Sequence, residues 1–224
     1  MDDDHNVTNN YNNNMNNDIS SGKIRLEHVI SFGDAIFAFS ITFMAISIQI
    51  PNLPMNNDIQ KQVISALLLL RPQLEIYALS FMIVGVFWIS YHRVFNHIRW
   101  SHSILVWLNL LFLFFVTLIS FATALDLRYG RFHSVFIIYT SILTITSSIL
   151  VIIWLHASKQ NLLDKSVSKI QSKLMLYDLL IPTGIFMISI GVSFIDIRVA
   201  QYFWILIFVV KIIARKRFAK IIKL

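Results

Sequence analysis

The stretch SILVWLNLLFLFFVTLISFATAL, Ser103 to Leu125, runs 23 residues without a single charge. As an α-helix rising 1.5 Å per residue it is about 35 Å long, enough to cross a hydrocarbon core of about 30 Å. It is apolar on every side, as a helix surrounded by lipid must be. Five more stretches of the same kind flank it, so the spans read 29–50, 73–95, 103–125, 133–156, 174–195 and 199–214. Composition agrees: 56% of the residues are hydrophobic, 14% are charged and the mean hydropathy is +0.66. A soluble domain carries about 25% charge to wet its surface. The fold class is therefore an all-α integral membrane protein with six transmembrane helices.

Outside the spans, residues 1–24 form a polar tail in which eight of the first seventeen positions are Asn. Such a segment cannot bury enough apolar surface to fold, and it reads as a disordered cytoplasmic tail. It has no basic-then-apolar leader, so no removable signal peptide is expected. The membrane domain covers 25–217, and 218–224 is a basic cytoplasmic C-terminus. Asp58 to Leu70, closed by Arg71-Pro72, is too short to span and reads as a separate helix at the outer interface. Pro182, Gly184 and Gly191 in the fifth span suggest a kink or a close helix contact. Lys211, near the end of the short sixth span, is placed to snorkel to the interface.

The formal charge of +7 raises nucleic acid as a partner, but the distribution of Lys and Arg answers it. With six spans, the termini and the second and fourth loops share one side. Lys23, Arg25, Arg93, Arg99, Lys159, Lys165, Lys169, Lys173, Lys211, Arg215, Lys216, Arg217, Lys220 and Lys223 fall there, fourteen of the nineteen basic residues. Lys61, Arg71, Arg128, Arg131 and Arg198 fall on the other. The positive-inside rule then makes both termini cytoplasmic, in a multi-pass cell-membrane protein. The basic C-terminal run meets anionic lipid, and no nucleic acid is needed.

No Cys is present, which excludes disulfides, thiolate metal sites and a Cys nucleophile. His92, His97 and His102 recur every five residues, which scatters them around a helix, so no metal is expected. HExxH, GxSxG, Walker and Rossmann patterns are absent, and nothing indicates an enzyme or a cofactor.

An ionisable side chain inside a span costs about 2.5–3.5 kcal/mol on insertion scales, so each is a functional-site hypothesis. Asp34 is the clearest. Trp88 and His92, four apart on one helix face, and Asn109 in the third span lie at the depth of Asp34. A cluster of these four would satisfy its own polar groups. Glu75 and Asp178, at span ends, read as wetted caps. Phe39, Phe43, Ile46 and Ile50 fall at helical spacing with Thr42 among them. Alone, that stripe reads as lipid-facing or core rather than as a pore lining.

Two segments carry a family resemblance. Arg25-Leu26-Glu27 with Phe32-Gly33-Asp34-Ala35-Ile36-Phe37-Ala38-Phe39-Ser40-Ile41-Thr42, and Leu79 to Phe95 followed by Trp107-Leu108-Asn109, resemble the first three helices of the lysosomal potassium channel family, transmembrane protein 175, in its bacterial and archaeal form. The resemblance covers about residues 25–125. It implies a homotetramer with a central pore lined by the first helix, and potassium as the permeant ion. It also implies a hydrophobic constriction, carried to Phe39, Thr42, Phe43 and Ile46, in place of a carbonyl filter. The family's polar cluster carries over to Phe32, Asp34, Trp88, His92 and Asn109. The signature Ser is Gly33 here, and the signature Arg position is His28. Arg25 lies at the wrong angle to replace it. A proton-coupled or secondary transporter using Asp34 and His92, and a non-conducting scaffold, are the alternatives.

Overall fold

The computed structural model describes residues 25–49, 59–99 and 103–222. The tail 1–24, Ile50 and His102 lie outside the described residues. Seven α-helices follow in order: α1 Leu26–Ile46, α2 Ile59–Asn96, α3 Ser103–Tyr129, α4 His133–Lys159, α5 Lys169–Ser193, α6 Ile197–Tyr202 and α7 Leu206–Ile222. A 3₁₀ turn, Phe203–Ile205, joins the last two. Six helical stretches are long and apolar enough to cross a membrane, and among the described residues there is no strand, only an isolated bridge between Ile98 and Leu163. The chain is an all-α, multi-pass membrane protein.

Several expectations about the helices are corrected or refined. The separate interfacial helix does not exist: α2 runs unbroken through Arg71-Pro72. Proline removes one backbone hydrogen bond from the helix interior, and Arg71 and Glu75, paired at 2.9 Å, bracket it one turn apart. In α5, Pro182 sits within a continuous helix, which leaves the expected kink open, but a Cβ built on Gly184 or Gly191 meets nothing within 4 Å, so the close contact at the glycines is not found. The first helix stops at Ile46 rather than 50, and the sixth span is interrupted by its 3₁₀ turn.

The helices pack as a chain of neighbours: α4 between α3 and α5, α7 on α5, and α1 on α3 and α2. Apolar burial drives little association between helices in lipid, so close packing and buried hydrogen bonds hold the bundle. Trp204, in the 3₁₀ turn, packs on Phe136, Tyr139 and Phe186 with ring centroids 5.2–5.9 Å apart. Its indole donates to Ser189 Oγ at 2.9 Å, and that hydroxyl donates to Ala200 O at 2.8 Å. Deeper in the bundle, Tyr139 donates to Ser80 Oγ at 2.7 Å and shares a hydrogen bond with Thr123 at 3.0 Å, tying α4 to α2 and α3.

At one end, α4 closes on Asn161 at φ 54°, a left-handed conformation that Asn tolerates. Leu162 N–H returns to Ala157 O at 3.0 Å, as in a Schellman cap. The chain is thereby turned so that Arg99 N–H reaches Leu162 O and Asp164 N–H reaches His97 O, both at 2.9 Å. The second and fourth loops therefore meet at the same end of the bundle.

Candidate functional site

The helix α1 has two unlike faces. Val29, Gly33, Phe37, Ser40 and Met44 are buried against α2 and α3. Opposite them, Phe32, Phe39, Phe43 and Ile46 are exposed, Ile46 by 74%. At 100° per residue these four, with His28, fall within about 60° of one another over a rise of about 27 Å. The Phe39 and Phe43 rings stack at 5.8 Å. Thr42 flanks the stripe, and its hydroxyl donates to Ala38 O at 2.9 Å. That bond commits its proton, so the oxygen lone pairs remain free to accept.

Asp34 lies at the edge between the faces. Its Oδ1 accepts from Trp88 Nε1 at 2.8 Å and from His92 Nε2 at 2.6 Å. A carboxylate only accepts, so His92 carries its proton on Nε2. The two rings meet edge to face at 4.8 Å, as their spacing of four on α2 allows. The Asp34 side chain remains 43% exposed, and Oδ2 has no hydrogen-bond partner among the described residues. The structure thus brings Asp34, Trp88 and His92 together and joins α1 to α2 through them.

Asn109 is near the cluster but does not bond Asp34. It is buried at 1%, lies against the Tyr91 hydroxyl, and its Oδ1 has no partner among the described residues. Tyr91 is the intermediary, a residue that sequence reasoning missed. It is fully buried, its ring is stacked on Phe112 at 5.7 Å, and its hydroxyl donates to Val29 O at 3.2 Å. A Cβ built on Gly33 would come within 2.8 Å of Tyr91 Cζ and closer still to the hydroxyl. Glycine stands at this position because the tyrosine occupies the side-chain space. His28 is exposed on the aromatic stripe, and among the described residues no hydrogen bond or ion pair joins it to Asp34. Arg25 is the exposed N-cap of α1.

A second polar centre was not anticipated. Asp178 is no wetted cap but 3% exposed, and Lys211 does not snorkel but is 4% exposed. Asp178 Oδ2 accepts from Arg93 Nη1 at 3.0 Å and Lys211 Nζ at 2.9 Å, and Lys211 also donates to Ser90 Oγ at 3.1 Å. Snorkelling fails because Lys211 points into the bundle, where a carboxylate offsets its charge. Among the described residues no group of three His, Asp or Glu is placed to hold a metal ion. A cavity of about 280 Å³, lined by Ser47, Gln49, Phe121, Arg128 and Tyr129 among others, opens at the opposite end of α1 from Asp34.

A sequence profile of the endosomal/lysosomal potassium channel TMEM175 matches residues 28–119. A potassium channel of Streptomyces collinus is 27% identical over 135 residues, which cover 58% of this chain and 64% of the relative, a little under two thirds. A potassium channel of Chamaesiphon minutus is 26% identical over 172 residues, covering 75% of this chain and 83% of the relative. The solved structure of a lysosomal potassium-selective channel TMEM175 homolog from that organism superposes with a TM-score of 0.70 at 23% identity, covering 86% of this chain and 97% of that one. The endosomal/lysosomal proton channel TMEM175 of Mus musculus is 33% identical over 94 residues, 40% of this chain but 19% of the relative.

Proposed function

We propose that this chain, which belongs to the TMEM175 family, is the subunit of a potassium-permeable cation channel in the cell membrane, with four copies arranged around a pore lined by α1. Both termini are cytoplasmic on this reading, from the fourteen-to-five distribution of basic residues. The observation that carries it is the exposed stripe of α1. Aromatic and aliphatic residues facing lipid would be unremarkable, but this stripe has the ionisable His28 at one end and Thr42 on its flank toward the other, and the half-exposed Asp34 carboxylate stands about 120° around the same helix. Ionisable groups within spans face bundle interiors or water-filled paths. The face of α1 that is open in one subunit is therefore the face turned toward the other subunits and the ion path.

In that arrangement Phe39 and Phe43 from each subunit form an apolar constriction, with Ile46 beyond it toward the far end of the stripe. Such a constriction gates by losing and regaining water, driven by side-chain rotation. The chain has no Thr-Val-Gly-Tyr-Gly loop, so selectivity rests on pore dimensions and on the Thr42 oxygens, whose lone pairs are free. Asp34, gripped by Trp88 and His92, fixes the rotation of α1 and hence which side chains face the axis. No cofactor is required beyond the permeant ion, and the partners are identical subunits and membrane lipid.

The test is potassium flux from liposomes holding the purified protein, with sodium and proton controls, comparing wild type with Asp34→Asn. Potassium flux exceeding sodium flux supports the reading. A second reading, a proton pathway through the hydrogen-bonded Asp34 and His92, is favoured by that pair and by the name of the mouse relative. It predicts proton flux that Asp34→Asn abolishes while potassium flux stays absent.

A further inference from the structure

Four consecutive residues of α2 are each held by a partner outside that helix. Ser90 Oγ accepts from Lys211 of α7 at 3.1 Å, and the Tyr91 hydroxyl donates to Val29 O of α1 at 3.2 Å. His92 Nε2 donates to Asp34 of α1 at 2.6 Å, and Arg93 Nη1 to Asp178 of α5 at 3.0 Å. At 100° per residue, four successive side chains point around nearly the whole circumference of the helix. This single turn is therefore fixed in both rotation and height, from the α1 side and from the α5–α7 side. We infer that Arg93, Asp178 and Lys211 are positioning residues of the channel, an ion triad that holds the Trp88–His92 grip on Asp34 in register.

The chemistry of the triad supports this over a simple role in stability. Two basic side chains share one oxygen, Asp178 Oδ2, with Asp178 and Lys211 buried and Arg93 half-buried. Asp178 Oδ1 and Arg93 Nη2 are buried without partners among the described residues. Replacing a buried ion group by apolar side chains of the same volume often changes stability little, so the role assigned to this one is to fix geometry. Packing near the triad is by side chains: α2 and α5 meet through Phe87 and Phe186, with ring centroids 6.3 Å apart. Arg93 adjoins His92 in the chain, so a shift of the Arg93 anchor is passed to the Asp34 contact over one residue. The inference rests on the channel reading for its functional consequence but not for its geometry.

The experiment uses the full chain in detergent or nanodisc with two readouts. The first is the indole ¹H–¹⁵N spectrum, in which the five Trp give five signals and Trp88 is identified by its loss in Trp88→Phe. The second is potassium flux in liposomes. Asp178→Asn keeps an acceptor oxygen for the two cations but removes the charge. The replacement of all three by Arg93→Met, Asp178→Leu and Lys211→Met gives a charge-free bundle that folds if the aspartate variant does not. Either is expected to move the Trp88 signal. Flux should change by about twofold to thirtyfold, the range that couplings through a packed network carry. In an Asp34→Asn background, adding Asp178→Asn should change flux no further. A Trp88 signal unmoved in both variants overturns the inference, as does an equal flux change with and without Asp34. Absence of flux from the wild type would refute the channel reading alone, because the Trp88 signal still judges the positioning role.

Discussion

Gly33→Ala is the substitution whose cost can be worked most directly. The new methyl lands within 2.8 Å of Tyr91 Cζ and nearer still to its hydroxyl. Tyr91 cannot turn aside: it is fully buried, stacked on Phe112 and packed against Phe37 and Phe95. Either α1 moves away from α2, or the hydroxyl gives up its bond to Val29 O. Overpacking costs about 1–3 kcal/mol and the lost hydrogen bond about 1 kcal/mol. Alanine regains about 1 kcal/mol over glycine in a helix, so the net loss is about 1–3 kcal/mol. For a chain of this size that corresponds to a fall in melting temperature of about 2–4 °C per kcal/mol. Thermal unfolding of detergent-purified protein reads it. Gly184→Ala is the internal control, because its Cβ meets nothing within 4 Å, and it should be neutral or slightly stabilising. Adding Tyr91→Phe to Gly33→Ala removes the nearest clashing atom and should recover part of the loss. If Gly33→Ala is as stable as Gly184→Ala, the close approach of α1 to Tyr91 is refuted.

Other outcomes follow from the same contacts. Phe39→Ala or Phe43→Ala should raise potassium flux or weaken discrimination against sodium in liposomes, with little loss of thermal stability, because both rings are exposed on the subunit. Asp178→Ala strands two cations and should cost about 3–5 kcal/mol, whereas Lys211→Met leaves the one-to-one pair with Arg93 and should cost less; chemical unfolding in detergent ranks them. Trp204→Ala should cost about 3–5 kcal/mol by the same measurement, since the indole is buried among three rings and hydrogen-bonded. Asp164, half-exposed, has its carboxyl held below the usual carboxylate range, chiefly by the Ser166 backbone N–H. A depressed carboxylate stabilises the fold above its ordinary titration range and loses that contribution as pH falls through it. Protection of the amides at the 97–99 and 162–166 junction, measured relative to the intrinsic exchange rate at each pH, should therefore fall in acid, and Asp164→Asn should remove the dependence.

The spans were legible because each is a long apolar run, and Asp34, Trp88 and His92 because ionisable and hydrogen-bonding groups at one depth have few other partners. Tyr91 was not legible: a tyrosine near the end of a span fits an interfacial belt as well as a core, and only the glycine opposite hints at it. Asp178 and Lys211 were misread for a related reason. Position along the chain places a charge near a span end, but which way it points depends on a helix 33 residues away in sequence. The continuity of α2 through Pro72 was hidden because proline usually ends a helix, and Asn109, expected to join Asp34, lies against Tyr91 instead. Discounting Arg93 and Lys211, which serve the triad, leaves twelve basic residues against five, so the orientation argument survives the correction.

The central claim is that α1 lines an ion path, and potassium flux through the purified protein in liposomes tests it most directly. The account predicts potassium flux above sodium flux in the wild type, raised or made less selective by Phe39→Ala. No flux from either protein, with the oligomer intact in both, would contradict it.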